Sequence, residues 1–380
     1  MSAELVLANA RIVLEDAVVH GHLLVRDGRI AAVDTGRTAP AGAEDLDGDL
    51  LIPGLVELHT DNLEKHLKPR PGVQWPALPA LVAHDAQLAA AGITTVLDAM
   101  RIGDRALSAG LTERIGETAD CIQAAQEEDL FRAEHFLHLR CEVGEPQVAE
   151  AFEPFSAHPL LRLVSLMDHA PGQRQFTDID QWKLYYGGTY GLSDEELERM
   201  RVEQQGRSAK YADNNRRRIA ALCRSRGIGM ASHDDATEAH VAEAVELGLT
   251  MAEFPTTEAA AVAAKREGLA TIAGAPNLVR GKSHSGNVAA AELAAKGLLD
   301  VLSSDYMPVS MLHAVFVLHD RLEIPLPEAV ATASATPAGL VGLSDRGALR
   351  PGLRADLLQV RQSADAPIVR RVWREGRRVV

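Results

Sequence analysis

Residues 51–61 read LIPGLVELHTD, an apolar run that contains Pro53–Gly54 and ends in His59 and Asp61. A short apolar run bounded by polar residues predicts a buried strand of a parallel sheet. Side chains two positions apart on a strand point to the same face. The Cα atoms of His59 and Asp61 would then lie about 6.6 Å apart, close enough for both side chains to bind one cation.

Seven further apolar runs follow and alternate with helical patterns. The eight candidate strands lie near residues 51–59, 93–99, 135–142, 161–168, 228–233, 249–254, 269–274 and 299–304. Eight strand–helix units in a chain of this length predict an α/β fold with a (β/α)8 TIM-type barrel. The interval 170–227 is too long for a simple connection and predicts an additional lid or helical insertion, in which Ser193 and Glu196 have capping-box spacing.

The two ends of the chain are rich in β-strand patterns. Residues 5–14 and 22–33 are dominated by Val, Leu and Ile, and the C-terminal segment contains ADLLQV and PIVRRVWREGRRVV. Two β-rich ends around an α/β middle predict one discontinuous domain. We therefore expect a small β-sandwich domain from residues 1–52 and 344–380, and a barrel from residues 53–343.

The composition excludes several classes of protein. The 380 residues contain 39 Lys and Arg against 53 Asp and Glu, a formal charge of −14. That balance argues against binding to nucleic acid or to an anionic membrane, but it leaves room for a phosphorylated small molecule held by a few local cations. We expect no secretory signal, because the N-terminal residues lack a basic start and a long apolar block, and no membrane helix, because no apolar run approaches the length of one. Three cysteines without CxxC spacing indicate a reducing, cytoplasmic setting, and a homo-oligomer stays open.

Polar side chains stand at the predicted carboxyl ends of the strands, where barrel enzymes place their chemistry. Besides His59 and Asp61 they are Asp98, Glu142, Asp168, His169, His233, Asp234, Glu253, Asn277 and Asp305. So many carboxylates at one barrel mouth would repel one another, and a bound metal is the simplest compensation. The H-x-D motif alone fits an ordinary salt-bridged pair equally well, but the further ligand-type residues favour a metal site.

The chain resembles the amidohydrolase superfamily of metal-dependent hydrolases. LIPGLVELHTD is similar to its first-strand motif, in which Pro-Gly precedes H-x-H, and SATPAGLVGLSDRGALRPGLRADLLQV is similar to its C-terminal signature. HTDNLEKHLKPRPGVQWP, HLRCEV, LMDHAPGQRQF, GAPNLVRGKSHSGNVAA and LSSDYMP resemble one branch, the α-D-ribose 1-methylphosphonate 5-triphosphate diphosphatases of the carbon–phosphorus lyase pathway. The chain departs at Asp61, where most members have a second histidine; this harder ligand favours Mn²⁺, Fe²⁺ or Mg²⁺ relative to Zn²⁺.

The resemblance implies a hydrolase that cuts a triphosphate between its α and β phosphorus atoms and releases pyrophosphate. It implies one or two divalent ions (Zn²⁺, Mn²⁺ or Fe²⁺) bound by His59, Asp61, His169, His233 and Asp305, with Glu142 as a bridge. Asp305 would be the catalytic residue, which orients the nucleophile and accepts its proton.

A bound triphosphate needs cations and hydrogen-bond donors of its own, because buried charge without a partner is costly. The predicted substrate-binding residues are Lys65, His66 and Arg70 after the first strand, Arg174 and Lys183 in the insertion, and Asn277, Arg280, Ser283 and His284 after the seventh strand. The group after the first strand fits an ordinary solvated loop equally well. Arg140 shares a strand face with Glu142 and is expected to fill the barrel beside acidic neighbours.

Three alternatives stay open. A C–N hydrolase, such as a cyclic amidase or deaminase, would have an uncharged pocket beyond the metals. A hydrolase of ordinary nucleoside triphosphates would differ only in the group attached to the ribose. A non-catalytic barrel scaffold would bind no metal.

Overall fold

The computed structural model describes residues 4–70, 72–103, 111–174, 179–283 and 286–380. The strands are β1 (Glu4–Val13), β2 (Val18–Arg26), β3 (Arg29–Thr35), β4 (Glu44–Asp45), β5 (Leu50–Pro53), β6 (Leu55–Thr60), β7 (Ile93–Ile102), β8 (Glu134–Glu142), β9 (Leu161–Met167), β10 (Gly229–His233), β11 (Met251–Glu253), β12 (Ala270–Gly274), β13 (Val301–Ser303), β14 (Leu357–Gln362), β15 (Pro367–Arg374) and β16 (Arg377–Arg378).

The helices complete the strand–helix alternation. They are α1 (Asn62–Leu67), α2 (Ala77–Ala90), α3 (Leu111–Glu127), α4 (Val148–Phe152), α5 (Ile179–Tyr190), α6 (Asp194–Arg226), α7 (Glu238–Glu246), α8 (Glu258–Arg266), α9 (Ala275–Arg280), α10 (Ala290–Ala295), α11 (Ser310–Leu322), α12 (Leu326–Ala331) and α13 (Ala335–Leu340), with a 3-10 helix at Glu153–Ala157. In the part of the chain that the structure describes, no helix has the length and apolarity needed to cross a bilayer.

Strands β6 to β13 form one parallel sheet in chain order. The sheet closes through a parallel bridge between Thr60 and Asp305, where the amide of Asp61 donates to the carbonyl of Asp305 at 2.9 Å. All eight predicted barrel strands are therefore present, and the prediction of a (β/α)8 barrel is confirmed. Apolar side chains fill the barrel interior: Val56, Leu58, Leu97, Phe136, Leu163, Ala231, Met251, Ile272 and Val301.

The first predicted strand is divided at Pro53–Gly54. Strand β5 ends at Pro53 and belongs to the sheet of the chain termini, whereas β6 begins at Leu55 and starts the barrel. Gly54 allows this close approach, because a Cβ atom there would lie 2.2 Å from Oγ1 of Thr94. The motif thus connects the two sheets immediately before the candidate ligands.

The strands of both termini form a second, mixed sheet in the order β16-β15-β14-β5-β1-β2-β3, with β4 paired to β1. One face buries a cluster that includes Leu7, Leu23, Leu357 and Trp373. Other residues of the sheet, such as Leu358, pack in one cluster with apolar residues of the barrel helices. The prediction that both termini form one β-structure is confirmed, while the exact domain boundaries stay a prediction.

The long interval after the fourth barrel strand contains α5 and α6, so the predicted helical insertion is confirmed. Helix α6 is 33 residues long and starts with the predicted capping box between Ser193 and Glu196. Its buried face includes Ser208, Asn215 and Arg216. The side chain of Asn215 donates to the carbonyls of Val143 and Glu145, which follow β8. The insertion therefore packs directly beside the carboxyl ends of the barrel strands.

Candidate active site

A cavity of about 270 Å³ lies at the carboxyl ends of the barrel strands. The ligand-type side chains that line it are His59, Asp61, His169, His233, Asp234 and Asp305. They come from β6 and β10 and from the residues that follow β6, β9, β10 and β13. The structure thus brings five of the six predicted metal ligands to one cavity and adds Asp234.

These side chains form two groups whose donor atoms lie within 4.8 Å of one another. The first consists of His59, Asp61 and Asp305, and the second consists of His169, His233 and Asp234. Nε2 of His59 lies 3.6 Å from the Asp61 carboxylate, and Nε2 of His233 lies 3.4 Å from that of Asp234. Each group offers imidazole nitrogen and carboxylate oxygen, which is a donor set that divalent transition metals accept.

Buried carboxylates orient all three imidazoles. Glu253 accepts hydrogen bonds from Nδ1 of His59 at 2.7 Å and from Nδ1 of His233 at 2.6 Å. Glu142 accepts one from Nδ1 of His169 at 2.6 Å. A carboxylate on Nδ1 leaves the Nε2 lone pair available to a cation, which is the usual arrangement around metal-binding histidines.

Three residues that directly follow barrel strands, or lie two positions beyond one, have a left-handed backbone conformation. Asp234, Phe254 and Asp305 have φ angles of 55°, 54° and 52°. Left-handed φ values of residues other than glycine cost energy and concentrate at functional sites. Oδ2 of Asp234 is buried and makes no hydrogen bond. A buried carboxylate oxygen without a donor fits a position that a cation completes.

The titration behaviour reflects the density of negative charge. Burial and the neighbouring Asp61 carboxylate raise the pKa of Asp305 to about 6. Burial alone would lower the pKa of His59, but Glu253 outweighs it and raises that pKa to about 10. Burial opposes the ionisation of Asp61, but Arg140 and His59 hold its pKa below the ordinary value. The positive charges of His59 and Arg140 thus compensate these carboxylates, and a cation bound at Nε2 of His59 would take the place of its second proton.

Strand β6 has a register irregularity against β7 between Glu57 and Thr60. Both Leu58 and His59 consequently face the interior, Leu58 in the apolar core and His59 in the cavity. A β-bulge re-aims side chains in this way and is common next to active sites. His59 and Asp61 share the cavity face, as the sequence predicts.

Two arginines of the cavity were not predicted as site residues. Arg101 of β7 and Arg140 of β8 both line it. Arg140 donates a hydrogen bond to Asp61, which agrees with the expectation that it lies beside an acidic neighbour. Side chains two positions apart on a strand share a face, so the position of Arg140 two residues before Glu142 predicts that it faces the same side of the barrel wall.

Some predicted substrate-binding residues lie at the cavity. Asn277 and Ser283 line it. Oδ1 of Asn277 also accepts a hydrogen bond from the amide of Ala290, another lining residue, at 3.1 Å. Lys65 lies at the rim, where its ammonium group donates to the carbonyl of Tyr306, another lining residue.

Two other predicted substrate-binding residues make contacts away from the cavity lining. His66 turns away from the cavity and lies 3.0 Å from the side-chain oxygen of Gln87. Arg174 is buried, but its guanidinium is committed to ion pairs with Asp235 and Glu243. Buried arginines are paired in this way because an unpaired buried charge is costly.

Four further residues are not brought to the cavity. Arg70 and Arg280 are exposed on the surface, where water solvates their charges. Lys183 belongs to α5 and is not among the lining residues that the structure describes. Glu142 accepts a hydrogen bond from Nδ1 of His169 and belongs to neither ligand group, so its bridging role stays a prediction. His284 lies outside the described residues.

The comparisons with known proteins agree with this geometry. A model of the amidohydrolase family matches residues 86–380. The chain is 46% identical over 377 residues to the α-D-ribose 1-methylphosphonate 5-triphosphate diphosphatase of Escherichia coli strain K12, across 99% of this chain and 100% of that protein. It is 28% identical over 97 residues to the L-hydantoinase of Paenarthrobacter aurescens, across 25% of this chain and 20% of that one.

Solved structures share the fold. Molinate hydrolase has a TM-score of 0.68 at 11% identity, with 100% of this chain and 95% of that chain covered. The 5-methylcytosine deaminase of Klebsiella pneumoniae has a TM-score of 0.66 at 16% identity, with 99% of both chains covered. From the family match and the full-length similarity to the Escherichia coli protein, the chain belongs to the amidohydrolase family, whose members are metal-dependent hydrolases.

Proposed function

We propose that this protein hydrolyses the α–β phosphoanhydride bond of α-D-ribose 1-methylphosphonate 5-triphosphate in phosphonate catabolism. The products are pyrophosphate and the ribose phosphonate with one remaining 5-phosphate. The observation that carries the proposal is the pair of His–Asp groups in one cavity of a chain that aligns over its full length with the named diphosphatase. Arg101 and Arg140 in the same cavity support an anionic substrate over the uncharged substrate of a cyclic amidase.

One or two divalent ions, Zn²⁺, Mn²⁺ or Fe²⁺, belong to this proposal. Oδ2 of Asp234 makes no hydrogen bond and lies 3.4 Å from Nε2 of His233 and 3.7 Å from Nε2 of His169, and together with the Nδ1 contacts of the histidines this supports the fit of such ions. The two ligand groups would be His59, Asp61 and Asp305, and His169, His233 and Asp234. A divalent cation supplies positive charge for phosphoryl oxygens and makes water a stronger nucleophile near neutral pH.

Asp305 is the proposed proton acceptor. It lies at the end of the last barrel strand, and the backbone contacts that close the barrel fix its position beside Asp61. Its carboxylate would orient a water molecule and take the proton that the water loses when its oxygen bonds to phosphorus. The bond that breaks joins the bridging oxygen to the attacked phosphorus, and attack at either the α or the β phosphorus yields the same products.

We also propose a cellular setting and a division into domains for this protein. We place it in a reducing compartment such as the cytoplasm, which the free thiols of Cys121, Cys141 and Cys223 support. We also divide it into a β-domain of residues 1–52 and 344–380 and a barrel of residues 53–343, supported by the change of sheet at Pro53–Gly54.

The test is to purify the protein with Mn²⁺ or Fe²⁺ and to follow its action on the ribose phosphonate triphosphate and on ATP by phosphorus NMR. We expect pyrophosphate from the phosphonate substrate, with much slower turnover of ATP. Orthophosphate as the first product, or faster turnover of ATP, would contradict the proposed substrate. No turnover of either compound by metal-loaded protein would favour the non-catalytic scaffold.

A further inference from the structure

Arg101 and Arg140 are direct neighbours across two barrel strands. They are paired in the parallel register of β7 and β8, and both side chains line the cavity. Within the described part of the lining, they are the only arginine or lysine residues. Like charges side by side on a sheet destabilise it unless negative charge compensates them. A pair of guanidinium groups at this position therefore needs an anionic partner.

For Arg140, Asp61 is such a partner. Arg140 is 6% exposed and donates to one oxygen of Asp61, while its Nε is buried without a hydrogen-bond partner. A guanidinium has five N–H donors in a planar fork that matches phosphate oxygens. Arg140 lines the cavity and spends one N–H of this fork on Asp61, so the guanidinium has further donors to offer to an oxyanion in the cavity.

Asp61 connects Arg140 to the first ligand group. The same Asp61 oxygen that accepts from Arg140 lies 3.6 Å from Nε2 of His59. A cation bound by His59, Asp61 and Asp305 would compete with Arg140 for this carboxylate. The competition would leave more of the guanidinium available to a second anion.

We infer that Arg101 and Arg140 form a phosphate clamp, in which Arg140 exchanges the Asp61 carboxylate for phosphate oxygens of the substrate when a divalent cation occupies the first ligand group. The inference rests on the proposed function and deepens it, because it assigns the selection of polyphosphates to two barrel strands instead of the basic loops. Cation binding and phosphate binding are then coupled, each strengthening the other.

The clamp is tested by titrating the metal-loaded enzyme with inorganic pyrophosphate in a calorimeter. Arg140→Met keeps an unbranched stem but removes the charge, and Arg140→Lys keeps the charge but loses the fork. We expect pyrophosphate affinity to fall at least about tenfold in Arg140→Met and less in Arg140→Lys. Arg101→Met, at a more accessible position, should also weaken binding. The matched control is Arg162→Met, at the opposite, amino-terminal end of barrel strand β9, which should bind as the unchanged protein does.

Metal content provides the readout that separates the clamp from a merely structural role. Arg140→Met should retain at least as much metal per chain as the unchanged protein, because Asp61 loses a competitor. Unchanged pyrophosphate affinity in both methionine variants, or loss of metal from Arg140→Met, would overturn the inference. If the phosphonate triphosphate is not hydrolysed while pyrophosphate binding still depends on Arg140, the proposed substrate is wrong and the clamp is supported. If Arg140→Met hydrolyses the phosphonate triphosphate with normal KM and binds pyrophosphate with normal affinity, the proposed substrate is supported and the clamp is wrong.

Discussion

Oε1 of Glu253 accepts a hydrogen bond from Nδ1 of His59 at 2.7 Å, although the two residues are 194 positions apart in the chain. The second oxygen of the same carboxylate accepts from His233 at 2.6 Å and from the hydroxyl of Ser165 at 2.7 Å. Glu253 thus fixes one histidine of each ligand group from a fully buried position. This makes Glu253 a positioning residue for both halves of the candidate metal centre.

Glu253→Gln should lower metal affinity about 10- to 100-fold, because an amide orients and polarises the imidazoles less well than a carboxylate. The measurement is metal per chain after dialysis against a competing chelator. Glu258→Gln, which disrupts an exposed ion pair with Lys296, is the control and should retain its metal. Equal metal retention by Glu253→Gln and the unchanged protein would refute the positioning role.

Asp305→Asn should reduce turnover by about a hundredfold or more, because the amide cannot accept a proton from water. The backbone contacts of Asp305 that close the barrel do not depend on its carboxylate, so the thermal unfolding midpoint of the chelator-treated, metal-free protein should change little. Steady-state kinetics and differential scanning calorimetry on the same preparation check both parts. A variant with full activity would remove Asp305 from the proposed mechanism.

Asp234→Asn should reduce the stabilisation that a divalent cation gives to the protein. A ligand at a hundredfold excess over its Kd stabilises the folded state by about 2.7 kcal/mol. The unchanged protein should therefore lose thermal stability when its metal is chelated and regain it on addition of Mn²⁺. The variant should show a smaller difference between the two states. An identical Mn²⁺-dependent shift in both proteins would place the cation away from Asp234.

A second buried histidine cluster predicts a pH dependence of stability that is independent of the active site. His135 lies 2.7 Å from the Asp98 carboxylate and 3.5 Å from that of Asp85, with all three residues fully buried. Burial lowers the pKa of His135, but Asp98 and Asp85 outweigh it and raise the pKa from 6.5 to about 9. The protonated histidine is thus favoured in the folded state. Its contribution is fully present below pH 6.5 and is lost as the pH rises through about 9.

The test compares the free energy of unfolding of the unchanged protein and of His135→Gln from pH 6 to pH 10. The difference between them should shrink by about 3 kcal/mol as the pH rises through this range, because glutamine does not titrate. A difference that stays constant with pH would show that His135 is not charged in the folded protein.

The barrel and the position of its ligands follow from local sequence patterns. Apolar runs that end in His59, His233 and Asp305 predict both the strands and the end of the barrel where these side chains meet, because parallel strands present their carboxyl ends together. The expected domain boundary after residue 52 lies beside Pro53–Gly54, but the run 51–59 is predicted as one strand, since both β5 and β6 are apolar and only pairing partners distinguish them. The pattern of apolar residues predicts which residues are buried but not which of the two sheets they belong to.

The direction of loop side chains does not follow from the local sequence. His66 and Arg174 follow strand ends as Lys65 does, but contacts with residues elsewhere in the chain decide where each one turns, and Arg280 is exposed. Those contacts, such as Arg174 with Asp235, join residues far apart in the chain and leave no local signal. Arg101 and Glu253 lie on strands, where the alternation of side chains predicts the face but not the partner.

Strand β5 lies between β1 and β14 in the sheet of the termini, so its two neighbours come from opposite ends of the chain. During synthesis on the ribosome, one edge of β5 stays unpaired until the residues of β14 have emerged. Such long-range pairing slows folding and leaves an edge that can recruit other chains. A nascent or truncated chain that ends before β14 is therefore expected to depend on chaperones and to aggregate, even though every candidate active-site residue has already been made.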